Sequence, residues 1–175
     1  MSTTIIKVFE EKHPPLRFIG KKYTNQDRID GSFAAKWQEW FQKGYFNPLE
    51  ALGETKQTDN GYLGFTRYNP SNPETSFEYW IGVLFDPNTN IPDGYDFIDI
   101  PASKLGMCYI QGKESEGLYA MHDACIHALM EKKILSSKQL NLPNMQFFER
   151  YNCPRFTEPN AIGEVILDYG VYLFE

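Results

Sequence analysis

The feature that most limits the fold of this chain is an internal repeat. The segment Phe65-Thr66-Arg67-Tyr68-Asn69 aligns with Phe148-Glu149-Arg150-Tyr151-Asn152 at an offset of 83 residues (148 − 65), close to half of the 175-residue chain. A strand with a proline kink, a helix and two further strands are predicted around each copy. The sequence therefore predicts one unit used twice, over about residues 3–84 and 97–174, within a single domain of residues 1–175.

The two halves show the same order of periodic segments. Each opens with a β-rich run that a proline interrupts, at Pro14 in the first half and at Pro101 in the second. Each then has apolar residues at helical spacing: Ile29, Phe33, Trp37, Trp40 and Phe41 in the first half, and Leu118, Met121, Cys125 and Leu129 in the second. A hairpin closes each half, so that one half reads as strand, helix, strand, strand.

Three strands and one helix per half are too few to cover both faces of a sheet. Two halves side by side would pair their edges and place both helices on one face. The predicted fold is therefore α+β, a duplicated β-α-β-β unit with an antiparallel sheet and a ligand cleft at the pseudo-twofold seam. A seam of this kind is a usual place for a small-molecule pocket.

Charge and composition exclude several classes of protein. The net charge is −6, and the densest basic run is the pair Lys21-Lys22, so we expect no direct nucleic-acid binding. There is no apolar run of membrane-spanning length and no signal-peptide pattern at the start. Three widely spaced cysteines fit reduced thiols, so the expected location is the cytoplasm.

Motifs for metals, cofactors and common catalytic centres are missing from the sequence. It has no His-Glu-x-x-His, Cys-x-x-Cys, Gly-x-Ser-x-Gly or phosphate-binding glycine loop. His122 and His127 are five residues apart, which would point them about 140° away from each other on a helix. We therefore expect neither a metal nor a cofactor.

The motif order resembles the GyrI-like small-molecule-binding family, which includes effector-binding domains of bacterial transcription activators and multidrug sensors. The resemblance rests on FEYWIGV (77–83), IPASKLGMCYIQG (100–112) and FFERYN (147–152), followed by a final β-rich run. It spans nearly the whole chain, and it implies an effector-binding fold that binds small molecules. Because the repeat fills the chain, the sequence is expected to be a stand-alone member without a DNA-binding domain.

Glu149 is the first candidate site residue. Strand alternation places it on one face with Phe147 and Tyr151, and a carboxylate between two aromatic rings is costly to bury without a partner. A cationic ligand would be such a partner, and the resemblance implies this role for a glutamate at this motif position. The alternative from the residues alone is a solvated glutamate paired with Arg150 or Arg67.

Further aromatic residues are candidates for the wall of the cleft. Four are strand tyrosines and one is on the first helix: Tyr79, Tyr109, Tyr169, Tyr68 and Trp40. Trp37 continues the apolar stripe and is expected in the core, whereas Trp80 competes with Tyr79 for the open face. Thr66 stands where the second copy has Glu149, which suggests a polarised pocket for one asymmetric ligand.

Three functions follow from this pattern. The first is binding of a small apolar or aromatic, cationic molecule, with Glu149 as the counter-charge, for sensing, sequestration or detoxification. The second is a hydrolase that opens cyclopropane-type electrophilic toxins with Glu149 as general base, an activity that the resemblance implies for one branch. The third is a protein-binding role of the gyrase-inhibitor type, with DNA gyrase or a regulator as partner.

Overall fold

A single antiparallel sheet organises the computed structural model, which describes residues 3–175. The eight described strands are β1 (Thr4–His13), β2 (Leu16–Tyr23), β3 (Tyr62–Tyr68), β4 (Glu78–Phe85), β5 (Asp96–Ile100), β6 (Ser103–Gly112), β7 (Met145–Tyr151) and β8 (Val165–Tyr172). The described helices are α1 (Ala34–Lys43), α2 (Asn47–Glu50), α3 (Pro73–Ser76), α4 (His122–Glu131) and α5 (Ser137–Leu140). The α+β class predicted from the sequence is confirmed.

The strand order is β1-β6-β8-β7-β3-β4-β2-β5, and every paired neighbour is antiparallel. The two predicted hairpins, β3 with β4 and β7 with β8, are confirmed and meet at the centre through β3 and β7. If each of the strands β1–β4 is exchanged for its counterpart among β5–β8, the same strand order results, read from the other edge of the sheet. A duplicated unit would give this order, although the duplication itself stays a prediction.

The proline-kinked strand of each half was predicted wrongly, because the chain forms two separate strands there. β1 and β2 flank Pro14 and Pro15, yet β1 pairs with β6 at one edge and β2 lies between β4 and β5 near the other. Proline removes a ladder hydrogen bond and turns the chain, so the second segment leaves the first instead of continuing it. Each half therefore contributes four strands rather than three.

The central seam pairs the two copies of the repeated motif directly. Phe65 of β3 lies opposite Phe148 of β7, and one step away Gly64 lies opposite Glu149. Since neighbouring residues alternate between the faces of a sheet, the buried Phe65 and Phe148 share one face and Glu149 lies on the other. Thr66 is buried beside Phe147 and Tyr79, so the two aligned positions have different surroundings.

Helices α1 and α4 cover two separate parts of the face that carries Glu149. Trp40 of α1 is buried with Ile19 and Ile81 of β2 and β4. Cys125 and Leu129 of α4 are buried in a second cluster with residues of β6 and β8. The helices therefore leave the central strands β3 and β7 uncovered between them.

The first helix is shorter than its apolar stripe predicts. It begins at Ala34, and Ile29 lies outside it with about half of its surface exposed. Just before its first turn, Ser32 accepts a hydrogen bond from the Ala34 amide at 3.3 Å. The helix ends at Gly44, whose left-handed backbone (φ 67°) glycine adopts without a Cβ clash.

The opposite face carries a third apolar cluster, and none of its described members lies in a helix. Phe65 and Phe148 join it at the centre, and Tyr172 packs against both rings at 5.9 Å. The members come from the strands and from the C-terminal Phe174, so side chains of the sheet form most of this core. Among residues 3–175 no helix is long and apolar enough to cross a membrane.

Candidate functional site

A cavity of about 1100 Å³ opens over the uncovered seam, on the side of α1. Its lining comes from α1 and α2, from the strands β3 and β4, from the loops at 28–33 and 53–61, and from residues 114–119 and 149–157 of the second half. Nine aromatic side chains line it: Phe33, Trp37, Phe41, Tyr62, Tyr79, Phe85, Tyr119, Tyr151 and Phe156. Flat, polarisable walls of this kind suit an aromatic guest.

Glu149 faces this cavity from the middle of β7. Its cross-strand neighbours are Gly64 on β3 and Tyr169 on β8, and the Tyr151 hydroxyl donates a hydrogen bond to its Oε2 at 2.7 Å. Burial raises the pKa of the Glu149 carboxyl above its usual value, and the Tyr151 hydrogen bond opposes that rise. The carboxylate thus has one neutral donor, and no cationic side chain of the described residues forms an ion pair with it.

Aromatic contacts fix the wall around Glu149. The Trp37 indole N–H donates to the Tyr79 hydroxyl at 2.8 Å, and the Trp37 ring meets the Tyr151 ring edge-on at 4.9 Å. Phe33 stacks on Tyr79 with centroids 4.2 Å apart. Burial raises the pKa of Tyr79, and the negative charge of Glu149 raises it further. Tyr79 therefore stays a neutral phenol near the carboxylate.

Gly64 leaves the space that the Tyr79 hydroxyl occupies. A Cβ at this position would lie 2.4 Å from the Tyr79 oxygen and 3.3 Å from the Trp37 ring. Because Gly64 is directly opposite Glu149, this missing side chain lets two aromatic side chains approach the carboxylate.

Replacing Gly64 by alanine is expected to displace Tyr79, and to lower the free energy of unfolding by about 1–3 kcal/mol through overpacking. Urea unfolding measures the loss, and Trp37 fluorescence reports the broken Trp37–Tyr79 hydrogen bond. The double variant Gly64→Ala/Tyr79→Phe removes the clashing hydroxyl and should recover most of the stability. Equal losses in the single and double variants would contradict this explanation.

Carboxylates outnumber cationic groups around the cavity. The lining contains five carboxylates and one guanidinium: Glu50, Glu54, Asp59, Glu114, Glu149 and Arg28. The Arg28 guanidinium lies over the Phe33 ring at 4.8 Å and the Phe77 ring at 4.9 Å. Only Asp59 of the five is held by cations, at 2.7 Å from Arg155 and 3.6 Å from Arg150. The described lining of the cavity therefore carries more negative than positive groups.

Arg150 does not pair with Glu149, because strand alternation places it on the opposite face. Its fully buried side chain donates from Nε to Asp168 at 2.7 Å, and its terminal nitrogens contact Glu11 at 3.1 and 3.3 Å. Arg67 pairs with Glu78 at 3.1 Å instead. The alternative of a Glu149 paired with either arginine is therefore wrong.

Three of the eight predicted site residues line the cavity together: Glu149, Tyr151 and Tyr79. Tyr79 rather than Trp80 faces it, since Trp80 is buried on the other side of the sheet. Phe147 and Tyr169 share the face of Glu149 but lie towards α4, where both pack against His122. Tyr68 is at the far end of β3, beside Phe147. These three side chains do not line the cavity.

Trp40 and Tyr109 were predicted in the wall and lie elsewhere. Trp40 is fully buried under α1, where its indole N–H donates to the Tyr23 hydroxyl at 2.8 Å. Tyr109 lies on the opposite face, because the neighbouring Cys108 is the residue in register with Tyr169 and Glu149. It packs edge-on against Phe9 at 5.0 Å. Trp37, predicted in the core, takes the place expected for Trp40.

Sequence reasoning missed seven of the nine aromatic residues that line the cavity among the described residues: Phe33, Trp37, Phe41, Tyr62, Phe85, Tyr119 and Phe156. Tyr119 and Phe156 are in loops, where no periodicity indicates direction. The sequence could have indicated Tyr62, because this residue begins a predicted strand; in the structure it lies directly opposite Tyr151.

An eight-stranded antiparallel α+β sheet with an aromatic, acidic cavity at its centre defines a small-molecule-binding domain. A sequence profile of the GyrI-like small molecule binding domain matches residues 7–125, which are 119 of the 175 residues (125 − 7 + 1). The chain belongs to this family. A comparison with curated protein sequences gave no match.

Several solved structures share the fold. SAV2435, in a structure bound to tetraphenylphosphonium, aligns with a TM-score of 0.69 at 20% identity, over 97% of this chain and 94% of that chain. A putative bacterial transcription regulation protein from Staphylococcus aureus MU50 aligns with a TM-score of 0.66 at 20% identity, over 97% and 99%. The C-terminal domain of EcmrR aligns with a TM-score of 0.53 at 11% identity, over 97% and 98%.

Proposed function

We propose that this protein binds a small aromatic cation in its central cavity, with Glu149 as the counter-charge. One observation carries the proposal. A partly buried carboxylate with a raised pKa faces an aromatic cavity, holds a single hydrogen bond from Tyr151, and pairs with no described cationic side chain. A bound cation would supply the missing charge partner, and the ring faces would add about 0.5–2 kcal/mol each.

The comparison with SAV2435 supports the chemical class of the ligand. That protein has been solved with tetraphenylphosphonium, a cation that carries four aromatic rings. In this chain Trp37, Tyr79 and Tyr151 would contact such rings. The positive charge of the phosphonium would then lie near Glu149.

The test is a tryptophan-fluorescence titration of the purified chain with tetraphenylphosphonium and with neutral triphenylphosphine oxide. We expect the cation to bind with a dissociation constant on the order of micromolar, and the neutral analogue to bind much more weakly. The signal should come mainly from Trp37, since Trp40 and Trp80 are buried away from the cavity. A full signal in Trp37→Phe, or equal affinity for the two compounds, would contradict the proposed site.

Separate assays distinguish binding from the other two functions. An electrophilic cyclopropane recovered at unchanged mass after incubation supports binding, whereas a product heavier by one water would indicate a hydrolase with Glu149 as general base. Inhibition of a protein partner such as DNA gyrase would survive neutralisation of Glu149.

We also propose the cytoplasm as the location of the protein, because Cys108, Cys125 and Cys153 are all free thiols.

A further inference from the structure

The cavity contains three tyrosine–glutamate pairs of the same kind. In each pair a tyrosine hydroxyl donates to a carboxylate: Tyr151 to Glu149, Tyr119 to Glu114, and Tyr62 to Glu50. The first two have donor–acceptor distances of 2.7 and 2.5 Å. All six side chains line the cavity.

The three pairs are neighbours around Tyr151. Tyr62 lies directly opposite Tyr151 across the β3–β7 seam, and the centroid of the Tyr119 ring is 6.5 Å from that of Tyr151. Glu149 is partly buried on the sheet, whereas Glu50 and Glu114 are exposed. Of these three carboxylates, one therefore lies at the floor of the cavity and two lie at its rim.

The rim carboxylates have no opposite charge nearby in the described part of the chain. No lysine, arginine or histidine among residues 3–175 lies within ion-pair distance of Glu50 or Glu114. Arg28, the one cationic group among the described lining residues, donates hydrogen bonds to the Asn25 side-chain oxygen and to the Gly31 carbonyl. Negative charge at the rim is thus left uncompensated by the protein.

We infer that the preferred ligand is an elongated dication, with an aromatic cationic head at Glu149 and a second positive group at the rim beside Glu50 and Glu114. This inference rests on the proposed function and specifies its ligand class. A volume of about 1100 Å³ is at the upper end for small-molecule pockets and leaves room beyond a single aromatic head. A second cation at the rim offsets charge that the aromatic head alone does not reach.

Two matched probes test the inference. Both carry a triphenylphosphonium head and the same methylene spacer, and they end in either a trimethylammonium or a neutral tert-butyl group. The two ends have nearly the same shape and differ in charge. At the spacer length that reaches the rim, we expect the ammonium probe to bind about three- to tenfold more tightly than its tert-butyl partner. Because the rim is exposed, added salt should reduce this ratio.

Variants locate the second charge. Glu50→Gln and Glu114→Gln should each reduce the ratio of the two affinities, because they should weaken the binding of the ammonium probe more than that of the tert-butyl probe. Glu10→Gln, which removes one exposed charge outside the cavity, should leave the ratio as it is. A ratio near one for every spacer, or a ratio that both rim variants preserve, would overturn the inference while the proposed function stands. Failure of every phosphonium probe to bind would overturn both.

Discussion

Replacing Asp168 by alanine is expected to lower the free energy of unfolding by about 3–5 kcal/mol. Asp168 is fully buried and accepts from Arg150 Nε at 2.7 Å, and from Arg155 at 2.6 and 3.0 Å. Alanine would leave Arg150, which is also fully buried, without its closest counter-charge. Urea or thermal unfolding of the variant and the wild type measures the loss.

Two variants control this result. Asp99→Ala breaks another bidentate arginine–carboxylate pair, with Arg17 at 2.7 and 3.0 Å, but on the exposed surface. Solvent screens that pair, so its removal should change stability far less. The double variant Arg150→Met/Asp168→Leu replaces both buried charges by apolar groups and should recover at least half of the loss. A similar loss for Asp168→Ala and Asp99→Ala would contradict the buried-charge explanation.

The buried pair of Arg150 and Asp168 also helps to position one wall of the cavity. Asp59 lines the cavity and is held at 2.7 Å by Arg155, which Asp168 orients from the other side. The Asn152 amide donates to the Asn60 carbonyl at 2.8 Å and attaches the same loop to the end of β7. The network beneath the sheet therefore positions one wall of the cavity above it.

Properties within a single strand could be predicted from the sequence. Alternation along β7 correctly grouped Glu149 with Tyr151 and separated them from Arg150, because side chains in a strand alternate with period two. The repeat and the turn residues likewise predicted the two hairpins. These features depend on neighbouring residues only.

Relations between distant strands could not be predicted in the same way. Tyr109 was placed in the wall, but its face depends on the register of β6 against β8, which puts Cys108 in line with Glu149. A shift of one residue in the register of β6 against β8 would place Tyr109 on the same face as Glu149. Trp37 and Trp40 differ in the same respect, since the rotation of α1 on the sheet decides which of them is buried. Long-range packing, rather than local pattern, settles these positions.

Replacing Glu149 by glutamine is expected to weaken the binding of tetraphenylphosphonium by about ten- to a hundredfold, or about 1.4–2.7 kcal/mol. The shape of the side chain is kept, and Tyr151 still has an oxygen to which it donates. Only the negative charge opposite the cation is lost. Triphenylphosphine oxide should bind the variant and the wild type equally, and Glu10→Gln should bind the cation like the wild type.

The pH dependence of cation affinity should report the ionisation of Glu149. Burial raises the pKa of Glu149, so acidification protonates it earlier than an exposed glutamate. Cation affinity of the wild type should therefore fall as the pH is lowered through this raised pKa, while the Glu149→Gln variant stays weak and nearly independent of pH. Parallel pH profiles for the two proteins would assign the titration to another group.

The charge of Glu149 should lower the stability of the ligand-free protein, although it raises the affinity for a cation. Because the pKa of Glu149 is higher in the folded protein than in the unfolded chain, its stabilising contribution is complete below the unfolded-chain pKa and is lost as the pH rises through the folded pKa. At pH values above the raised pKa the ligand-free protein thus holds a costly charge, and there Glu149→Gln should unfold at a higher temperature than the wild type. A variant that binds cations less well yet is more stable when empty would identify Glu149 as a residue kept for its ligand.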